Sequence, residues 1–477
     1  MFSKNFKYSL LLMSAYMFMI ASVDKGYRDD YYRIVDGHFW WDVDGRPLAN
    51  LFIYIFNSGG ILTDISPRSY IFSALIAALT CSIIGYKIIK STPLINSLCA
   101  SLIFFSPFFL QSMVYKFDLM TMCISILLCA VPFTHTSNNK YITLFISSIS
   151  ILASLSTYQA SMPLFLILNL VYLISNKPSR AECENALIRI FGCFIALLIY
   201  KLFVATAFVT SEYGTKHAEV GIPRTKEDFE GLIWSMEVLF RKLNLVYNTK
   251  YIFAFFPAIA MSALLIIVGI RTQRENKLYL LTIAISLMAA VSSCFIFFLV
   301  KHPAHHVRAM IGFGCATFFL VSLSCVFLRT RSWISYFVCL PPVLLYTSIA
   351  NDYVVAAKSQ FKYEKQIVEL IFNDYQKNKG KGPIKIIGVV PFTDETWRVF
   401  NKSPIIKEFM NYDLSWWSGK YFAYTEYPII KKIGINVDKN MSAANSLTCD
   451  MKVSNYNGAY TTFSNNGSVS IVFSKKC

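Results

Sequence analysis

The stretch YSLLLMSAYMFMIASVDKGYRDDYYR, Tyr8 to Arg33, decides the class of the fold, because an apolar run gives way abruptly to charged residues. A helix needs about 20 apolar residues to cross a bilayer, and fewer where the membrane is thin. The small residues that end the run form no A-x-A cleavage pattern, which a signal peptide would show. We therefore interpret residues 7–23 as a retained first transmembrane span.

The composition of the whole chain extends this interpretation. The chain has 477 residues, of which 55% are hydrophobic, 16% aromatic and only 15% charged, and its mean hydropathy is +0.47. Such values are typical of proteins that cross the membrane many times. The formal net charge of +17 falls mainly in short loops and in the residues after 350. This placement favours membrane orientation and contact with anionic lipid over nucleic-acid binding.

Eleven apolar segments have the length and composition of candidate spans. The run Tyr141–Ser175 is interrupted by Tyr158, Gln159 and Pro163, so we divide it into a hairpin. The fold class is therefore an α-helical polytopic membrane protein with about eleven transmembrane helices. The predicted spans are residues 7–23, 69–89, 94–113, 118–135, 141–157, 160–175, 187–209, 251–270, 278–300, 309–328 and 333–350.

Lysine and arginine residues test this topology, because short cytoplasmic loops carry an excess of both. With the amino terminus inside, the loops 24–68 and 210–250, the turn Lys301–Arg308 and the residues after 350 lie in the periplasm. We therefore assign residues 1–350 to a membrane domain and residues 351–477 to a periplasmic domain. Every inside turn is then basic, and these turns contain Lys87, Lys90, Lys140, Lys177, Arg180, Arg189, Arg271, Arg274, Lys277, Arg329 and Arg331.

The tail has the pattern of a small α+β domain. Val354 to Asn378 has helical periodicity, residues 385–392 are typical of a buried strand, and residues 459–474 alternate around an Asn-Asn-Gly turn. The tail contains two cysteines, Cys449 and Cys477. Because a periplasmic domain is in an oxidising compartment, we predict that these two form a disulfide.

Polar turns from separate parts of the chain meet at the periplasmic boundary in this topology. They are Val114–Asp118, Ser156–Ser161 and Lys301–Arg308, together with the opening loop. After Pro47, apolar residues recur at helical spacing, which predicts an amphipathic helix along the membrane interface. An acidic loop held at headgroup depth suits a lipid-linked substrate. The convergence of these turns predicts an active site.

Several of these residues also have purely structural interpretations. Asp29 and Asp30 can simply solvate a loop, and Asp118 can stabilise the start of a helix through the helix dipole. Trp40 and Trp41 can belong to the interfacial aromatic belt, where tryptophan is common. The sequence leaves these alternatives open.

Three histidines, His302, His305 and His306, have a spacing that a metal site can use. No carboxylate or cysteine beside them completes a ligand set, and histidines next to Lys and Arg more often bind anions or cap helices. We therefore expect no metal site. We also expect no nucleotide cofactor, since no glycine-rich nucleotide-binding motif occurs.

Four short motifs, in this order, resemble a known family. YRDDYYR and DGRPLANLF are followed by SPFFLQSMVYKFDLMTM and STYQASM within the first 175 residues. The chain resembles the serotype-converting O-antigen glucosyltransferases of enteric bacteria and their phages, of the glucosyltransferase II type. The resemblance implies a GT-C-like enzyme of the bacterial inner membrane that needs no nucleotide sugar and no tightly bound metal.

The resemblance also implies the reaction and its partners. Glucose passes from undecaprenyl phosphate glucose to a sugar of the lipopolysaccharide O-antigen on the periplasmic side, which converts the serotype. A small flippase and a synthase of the lipid-linked donor are the expected functional partners. The family's motif residues correspond to Asp29, Asp30, Tyr115, Asp118, Tyr158, Gln159 and Arg308.

Glycosyl transfer needs a base for the acceptor hydroxyl and cations for the departing phosphate. A positioned carboxylate base contributes about 10² to 10⁴ in rate, and we assign Asp29 or Asp30 to this role. A single base without a second, nucleophilic carboxylate predicts inversion at the anomeric carbon. The expected phosphate ligands are Arg308, Lys301, Lys116 and Arg46. Trp40 and Trp41 are candidate sugar platforms.

Two rival functions fit the same architecture. One is a related enzyme, such as an O-antigen polymerase or ligase, and the other is a transporter or flippase of lipid-linked sugars. A transporter shows polar residues at the middle of the bilayer, repeated halves and broken helices. The predicted spans contain few charges and no visible repeat, so the sequence favours an enzyme.

Overall fold

A computed structural model describes residues 1–135, 139–176, 179–218, 225–248, 250–272, 305–328, 332–410, 414, 418–444, 447, 449–456 and 459–473. The chain divides into two compact units. One, here named the helical unit, comprises Met1–Ala21, Phe39–Gly60 and Ile65–Asn351. The other, the sheet unit, comprises Ser22–His38, Ile61–Asp64 and Asp352–Cys477.

The helical unit is built from helices that begin at identifiable signals. Pro47, Pro93 and Pro107 each occupy the first turn of a helix, where the missing N–H costs nothing. Two helices continue as π-helical segments, Ile84–Ile89 and Tyr200–Ala205. The α-helices are Phe2–Ala21, Pro47–Phe56, Arg68–Ile83, Pro93–Phe105, Pro107–Met113, Asp118–Ala130, Lys140–Leu155, Met162–Ser175, Arg180–Ile199, Thr206–Phe208, Glu212–Ala218, Lys226–Val246, Ile252–Thr272, Ile311–Phe327 and the first part of Ser332–Lys377.

Within the described residues, four helices are long and apolar enough to cross a membrane. They are Arg68–Ile89, Arg180–Phe208, Val307–Phe327 and Trp333–Lys377. A fifth results if Pro93–Phe105 and Pro107–Met113, which meet at a bend of 69°, are one broken span. The chain is thus a helical membrane protein.

The predicted count of eleven spans is not confirmed. The segments predicted at 118–135, 141–157 and 160–175 form apolar helices of 10–17 residues, shorter than the roughly 20 residues of a comfortable span. The segment predicted at 278–300 lies outside the described residues. The chain does break at Gln159–Ser161, between Lys140–Leu155 and Met162–Ser175, where the sequence predicts the hairpin.

Small and polar side chains join the membrane helices. The Ser9 hydroxyl donates to Ser97 Oγ at 2.9 Å, which links the first helix to Pro93–Phe105. The Ser125 hydroxyl lies 2.8 Å from Ser154 Oγ and donates to the carbonyl of Tyr158 at 3.0 Å. Such interhelical bonds contribute about 0.6 kcal/mol each in membranes. The second set also fixes the backbone at Tyr158.

The sheet unit contains five strands: β1 (Ile384–Ile387), β2 (Ile435–Asp438), β3 (Lys452–Tyr456), β4 (Tyr460–Asn465) and β5 (Ser468–Phe473). Their order is β2-β1-β5-β4-β3, with β1 parallel to β2 and β5, and β4 antiparallel to β3 and β5. Asn466 and Gly467 connect β4 to β5 and both have positive φ, at 51° and 84°. These angles fit the primed two-residue hairpin turn that Asn-Gly favours.

Helices pack beside this sheet around an apolar core. Ile367 and Ile371, from the last part of Ser332–Lys377, are buried with Ile384, Ile471 and Phe473. The helix therefore continues well beyond residue 350, where the sequence predicts the last span to end. The other helices of this unit are Asp29–Asp36, Asp394–Lys402, Gly419–Glu426 and Pro428–Ile433, with short 3-10 turns at Pro404–Glu408, Met441–Ala444 and Cys449–Met451.

The opening loop, predicted as one connector over residues 24–68, is shared between the two units. Tyr31 is buried in the core of the sheet unit, where its ring meets Phe422 edge to face at 5.5 Å. The Tyr27 hydroxyl donates to the carbonyl of Phe409 at 2.7 Å. Trp41, by contrast, is fully buried in the helical unit. These aromatic anchors divide a loop that looks uniform in sequence.

Candidate functional site

The opening loop enters the helical unit through a tight turn. Residues Asp42–Asp44 form one 3-10 turn that ends at Gly45 with φ of 75°. An added Cβ at Gly45 would lie 2.5 Å from the Tyr200 hydroxyl, so both the angle and the space require glycine. Pro47 then starts the next helix. The turn places Trp41, Asp44 and Arg46 close together, near Asp118.

Arg46 lies between two carboxylates. Its Nη2 donates to Asp44 Oδ2 at 3.2 Å, and its Nη1 lies 3.9 Å from Asp118 Oδ1. The indole of Trp41 donates to that same oxygen of Asp118. The Asp118 side chain is 2% exposed and that of Asp44 is 27% exposed, so only Asp44 is open to a substrate. Removing one partner of a buried ion pair costs about 3–5 kcal/mol, so Arg46 also holds the cluster together.

Gln159 fixes the backbone of the same turn. Its side-chain amide donates to the carbonyls of Asp44 at 3.3 Å and Gly45 at 3.4 Å, and to the Tyr200 hydroxyl at 2.7 Å. Tyr200 in turn donates to the Gly45 carbonyl at 2.9 Å. The Ser211 hydroxyl donates to Asp44 Oδ1 at 2.6 Å. The Asp44 carboxylate is therefore held on both oxygens.

Arg308 is positioned by its backbone. Its N–H donates to Gln111 Oε1 at 2.9 Å, and its carbonyl accepts from the Tyr158 hydroxyl at 2.9 Å. The guanidinium lies over the Tyr115 ring, 4.5 Å from the centroid, a cation–π contact. The backbone of Arg308 is thus fixed at both its N–H and its carbonyl, the residue is half-buried, and a guanidinium is a group that matches phosphate oxygens.

Two further elements support this region. Lys116, beside Tyr115, is buried at 5% exposure. From the predicted loop 210–250, which forms the helices Glu212–Ala218 and Lys226–Val246, the Lys242 ammonium donates to the His305 carbonyl at 2.7 Å. Asp118 opens the helix Asp118–Ala130, so its charge also interacts favourably with the helix dipole.

In the described part of the helical unit, a set of contacts connects residues of the polar turns that the sequence predicts to converge. Arg46, Tyr115, Asp118, Tyr158, Gln159 and Arg308 are joined by direct contacts or lie next to one another in a turn. Several contacts of this region join residues more than 100 positions apart in the sequence, such as Tyr158 with Arg308 and Gln111 with Arg308. A carboxylate, an arginine pair and phenolic hydroxyls together suit proton transfer and anion binding.

Comparison with known proteins decides the class. The family model described as glucosyl transferase GtrII matches residues 17–346. The chain belongs to the GtrII glucosyltransferase family. It is also 27% identical over 424 residues to a 55.3 kDa protein in the gtrB 5′ region of Salmonella phage P22, a match that covers 84% of this chain and 86% of the phage protein. No solved structure matches.

Membership in the GtrII family makes the protein a glycosyltransferase. The matched residues include the whole cluster just described, from Trp41 to Arg308, and they end before the carboxyl-terminal part of the sheet unit. The cluster therefore lies in the part of the chain that defines the family.

Asp29 and Asp30, assigned as base from the sequence, belong to the sheet unit. Asp30 is fully buried, and its Oδ2 accepts from the N–H of Tyr27 at 3.0 Å. Both residues occupy the first turn of the helix Asp29–Asp36, where carboxylates are stabilised by the dipole. Asp29 is half-buried. For Asp30, this geometry supports the structural role of a helix-start residue.

The two candidate sugar platforms differ. Trp41 is fully buried, and its indole nitrogen donates a hydrogen bond to Asp118. Its role as a sugar platform stays a prediction. Trp40 is 56% exposed and has φ of 48°. Lys301 and Cys477 lie outside the described residues, so the predicted phosphate ligand and the disulfide from Cys449 have no described geometry.

Sequence reasoning missed four residues of the cluster: Asp44, Gln111, Tyr200 and Ser211. Gln111 and Tyr200 are polar residues inside predicted spans, a feature that by itself marks function in a membrane protein. Asp44 precedes a glycine in a short turn and resembles its neighbours too closely to be singled out. Within the described residues, no group of three or more His, Cys, Asp or Glu side chains is arranged to hold a metal.

Proposed function

We propose that this GtrII-family enzyme transfers glucose from undecaprenyl phosphate glucose to a sugar of the lipopolysaccharide O-antigen in the periplasm, and so converts the serotype. The observation that carries the proposal is the cluster of Asp44, Arg46 and Asp118 beside the turn of Tyr158 and Gln159. It joins the partly exposed carboxylate of Asp44 to the guanidinium of Arg46 at the ends of apolar helices. Transfer from a lipid-linked phosphosugar needs a base and cations close to the ends of membrane helices.

The chemistry uses one proton and one leaving group. The acceptor hydroxyl oxygen forms a bond to the anomeric carbon of glucose as the bond from that carbon to the phosphate oxygen breaks. A carboxylate takes the hydroxyl proton, and undecaprenyl phosphate leaves with the bonding electrons. A direct displacement of this kind inverts the anomeric configuration.

Three carboxylates are candidates for the base. Asp29 and Asp30 come from the family resemblance, and Asp44 comes from the geometry. We favour Asp44, because its side chain is partly open and its contacts tie it to Arg46, Ser211 and Gln159 within one unit. Asp118 is sealed by Trp41 and positions Arg46.

The departing phosphate needs cations that stay in place. Arg308 is the main candidate, since its backbone is fixed by Gln111 and Tyr158 while its guanidinium stacks on Tyr115. Arginine matches two phosphate oxygens at once, which a lysine cannot do. Arg46 and Lys116 supply further positive charge, and Lys301 remains a proposed ligand.

The placement of the chain follows from the same proposal. The protein lies in the bacterial inner membrane, with its catalytic loops and a small α+β domain of residues 351–477 in the periplasm. In that compartment Cys449 and Cys477 form a disulfide. A flippase supplies the donor from the cytoplasmic leaflet, and a separate synthase makes it there.

An assay with purified components tests this function. The protein in nanodiscs is given undecaprenyl phosphate glucose labelled in the sugar, with O-antigen polysaccharide as acceptor. We expect label in the polysaccharide and free undecaprenyl phosphate in equal amounts, with inverted linkage by NMR. Undecaprenyl phosphate mannose serves as the control donor. Absence of transfer from the glucose donor, or equal transfer from both, would contradict the proposal.

A further inference from the structure

Four aromatic side chains form a continuous row within the sheet unit, here named the aromatic ladder: His38, Tyr32, Tyr421 and Tyr424. The His38 and Tyr32 rings meet edge to face at 4.3 Å, Tyr32 and Tyr421 at 4.8 Å, and Tyr421 and Tyr424 at 5.9 Å. Edge-to-face contacts at these distances are favourable, so each ring orients the next. All four residues are half-exposed.

Two helices, Asp29–Asp36 and Gly419–Glu426, carry the three tyrosines of the ladder, and helical periodicity leaves these tyrosines partly exposed. On Asp29–Asp36, Tyr31 is buried in the core while Tyr32 remains half-exposed. On Gly419–Glu426, Phe422 is buried, whereas Tyr421 and Tyr424 are three positions apart and therefore share a face. Both of these tyrosines pack partly against the core. The rings are therefore held rigidly before any ligand binds.

Charged groups border the ladder. The Lys420 ammonium lies 4.7 Å from the centre of the Tyr421 ring. Asp36 is exposed, and its carboxylate lies 4.0 Å from the Lys431 ammonium. Burial, together with the nearby Asp36 carboxylate, raises the pKa of both Tyr32 and Tyr421. The phenols of Tyr32 and Tyr421 therefore remain neutral at physiological pH.

This combination fits a carbohydrate better than an apolar protein segment. Every ring in the ladder carries a polar atom, and a carboxylate and an ammonium lie at its border. A pyranose has an apolar C–H face that packs on a flat ring and a rim of hydroxyls that pair with such groups. A row of four rings is longer than one monosaccharide, so the ladder fits a chain of sugars.

We propose that the aromatic ladder binds the oligosaccharide chain of the acceptor, outside the residues that carry out the transfer. The substrate class rests on the proposed function, because a glycosyltransferase acting on O-antigen must hold a polymer of sugars. In the sequence, His38 of the ladder precedes Trp41, the residue that donates to Asp118 of the candidate site, by only three positions. The ladder gives affinity for long acceptors without touching the reacting atoms.

The test uses full-length protein in nanodiscs with two acceptors, a single O-antigen repeat and a polymer of several repeats. The variants are Tyr32→Ala and Tyr421→Ala, with Tyr421→Phe to keep the ring. Trp397→Ala is the matched control, because Trp397 is an exposed aromatic residue of the same unit outside the ladder. The thermal transition of each variant checks that the sheet unit is folded.

We expect each alanine variant to raise the KM for the long acceptor by about tenfold, because the sugar chain loses one favourable contact with a ring. The KM for the donor, and that for the single repeat, should stay unchanged, and Trp397→Ala should behave like the parent protein. Tyr421→Phe, which keeps the ring and loses the hydroxyl, should raise the KM for the long acceptor less than Tyr421→Ala does. Unchanged KM for the long acceptor in both folded alanine variants would overturn the proposal. So would an equal increase in Trp397→Ala.

Direct binding separates this proposal from the proposed function. Saturation-transfer NMR with the O-antigen polymer, without donor, should show sugar protons in contact with the parent protein and a loss of that signal in Tyr32→Ala. If the parent protein binds the polymer and Tyr32→Ala loses that signal, while the parent protein transfers no glucose, the proposed function fails and the ladder stands. If it transfers glucose and the signal persists in Tyr32→Ala, the ladder fails.

Discussion

The indole nitrogen of Trp41 donates a hydrogen bond to Asp118, 77 positions further along the chain. Asp118 is almost fully buried, and Arg46 also faces its Oδ1, at 3.9 Å. Loss of one hydrogen bond to a buried charged group costs about 1–3 kcal/mol. The contact therefore ties the opening loop to the helix that begins at Asp118.

Trp41→Phe tests this tie while keeping an aromatic ring in the core. We expect a lower thermal transition and at least a tenfold loss of glucose transfer, since Asp118, which faces Arg46, loses the indole N–H that donates to it. Trp40→Phe is the matched control, because the neighbouring Trp40 is 56% exposed. Equal losses in the two variants would show that the Trp41 hydrogen bond has no special role.

The three candidate bases are ranked by asparagine substitution, which keeps size and removes charge. We expect Asp44→Asn to lower kcat by about 10²–10⁴ with little change in donor KM, the usual contribution of a general base. For Asp30→Asn the amide oxygen can still accept from the N–H of Tyr27, so we expect a near-normal rate.

Rates with a chemically activated donor check the assignment, together with glycan analysis of cells at matched protein levels. A large loss confined to Asp29→Asn or Asp30→Asn would return the base to that pair. Equal, small losses in all three variants would exclude every carboxylate proposed for this role.

Local features of the fold could be read from the sequence. The Asn466–Gly467 hairpin, the helix after Pro47 and the break at Gln159–Ser161 each depend on a few adjacent residues. The end of the last span could not be read, because Ser332–Lys377 remains helical where it becomes polar. Hydropathy reports the change from apolar to polar residues near residue 350. The sequence has no signal that ends a helix between that position and Gly380.

The candidate site could be read only in part for a similar reason. The turns containing Asp118, Tyr158 and Arg308 were found because several polar residues interrupt apolar runs there. The opening loop is divided between the two units, with Tyr31 buried in the sheet unit and Trp41 in the helical unit. Each of these positions depends on residues far away in the sequence, Phe422 for Tyr31 and Asp118 for Trp41. Six similar carboxylates lie between Asp24 and Asp44, and the sequence alone does not separate Asp44 from Asp29 and Asp30.

The turn at Gly45 offers a sharper test of the site than any charged residue. Gly45→Ala places a methyl group against the Tyr200 hydroxyl, whereas Gly60, with φ of 67°, has no neighbouring atom within 4 Å of an added Cβ. Both substitutions carry a positive-φ cost of about 1–2 kcal/mol. Only Gly45→Ala disturbs the bonds from Gln159 and Tyr200.

We therefore expect Gly45→Ala to lose at least tenfold more transfer activity than Gly60→Ala, with similar amounts of both proteins in the membrane. The double variant Gly45→Ala with Tyr200→Phe removes the clashing oxygen and should recover part of the activity. A double-mutant cycle measures that coupling. Independent, additive effects would mean that the turn does not act through Tyr200.

His38, at the end of the aromatic ladder, should have a pKa below its ordinary 6.5. Burial is the main cause, Arg33 adds to it, and Asp36 opposes it. The folded state therefore resists protonation of His38. The stability that this residue contributes is present above its unfolded pKa and is lost as the pH falls through the folded pKa.

Carbon-13 NMR of labelled histidine in the full-length protein measures this value, with His38→Gln to assign the signal. We expect Asp36→Asn to lower the pKa of His38 further, because the opposing negative charge is gone, and Arg33→Gln to raise it. The neighbouring rings of Tyr32 and Tyr421 stay neutral throughout this range, since their own pKa values are raised. A parent pKa above 6.5, or a rise in Asp36→Asn, would contradict the partial burial of His38 and its proximity to Asp36.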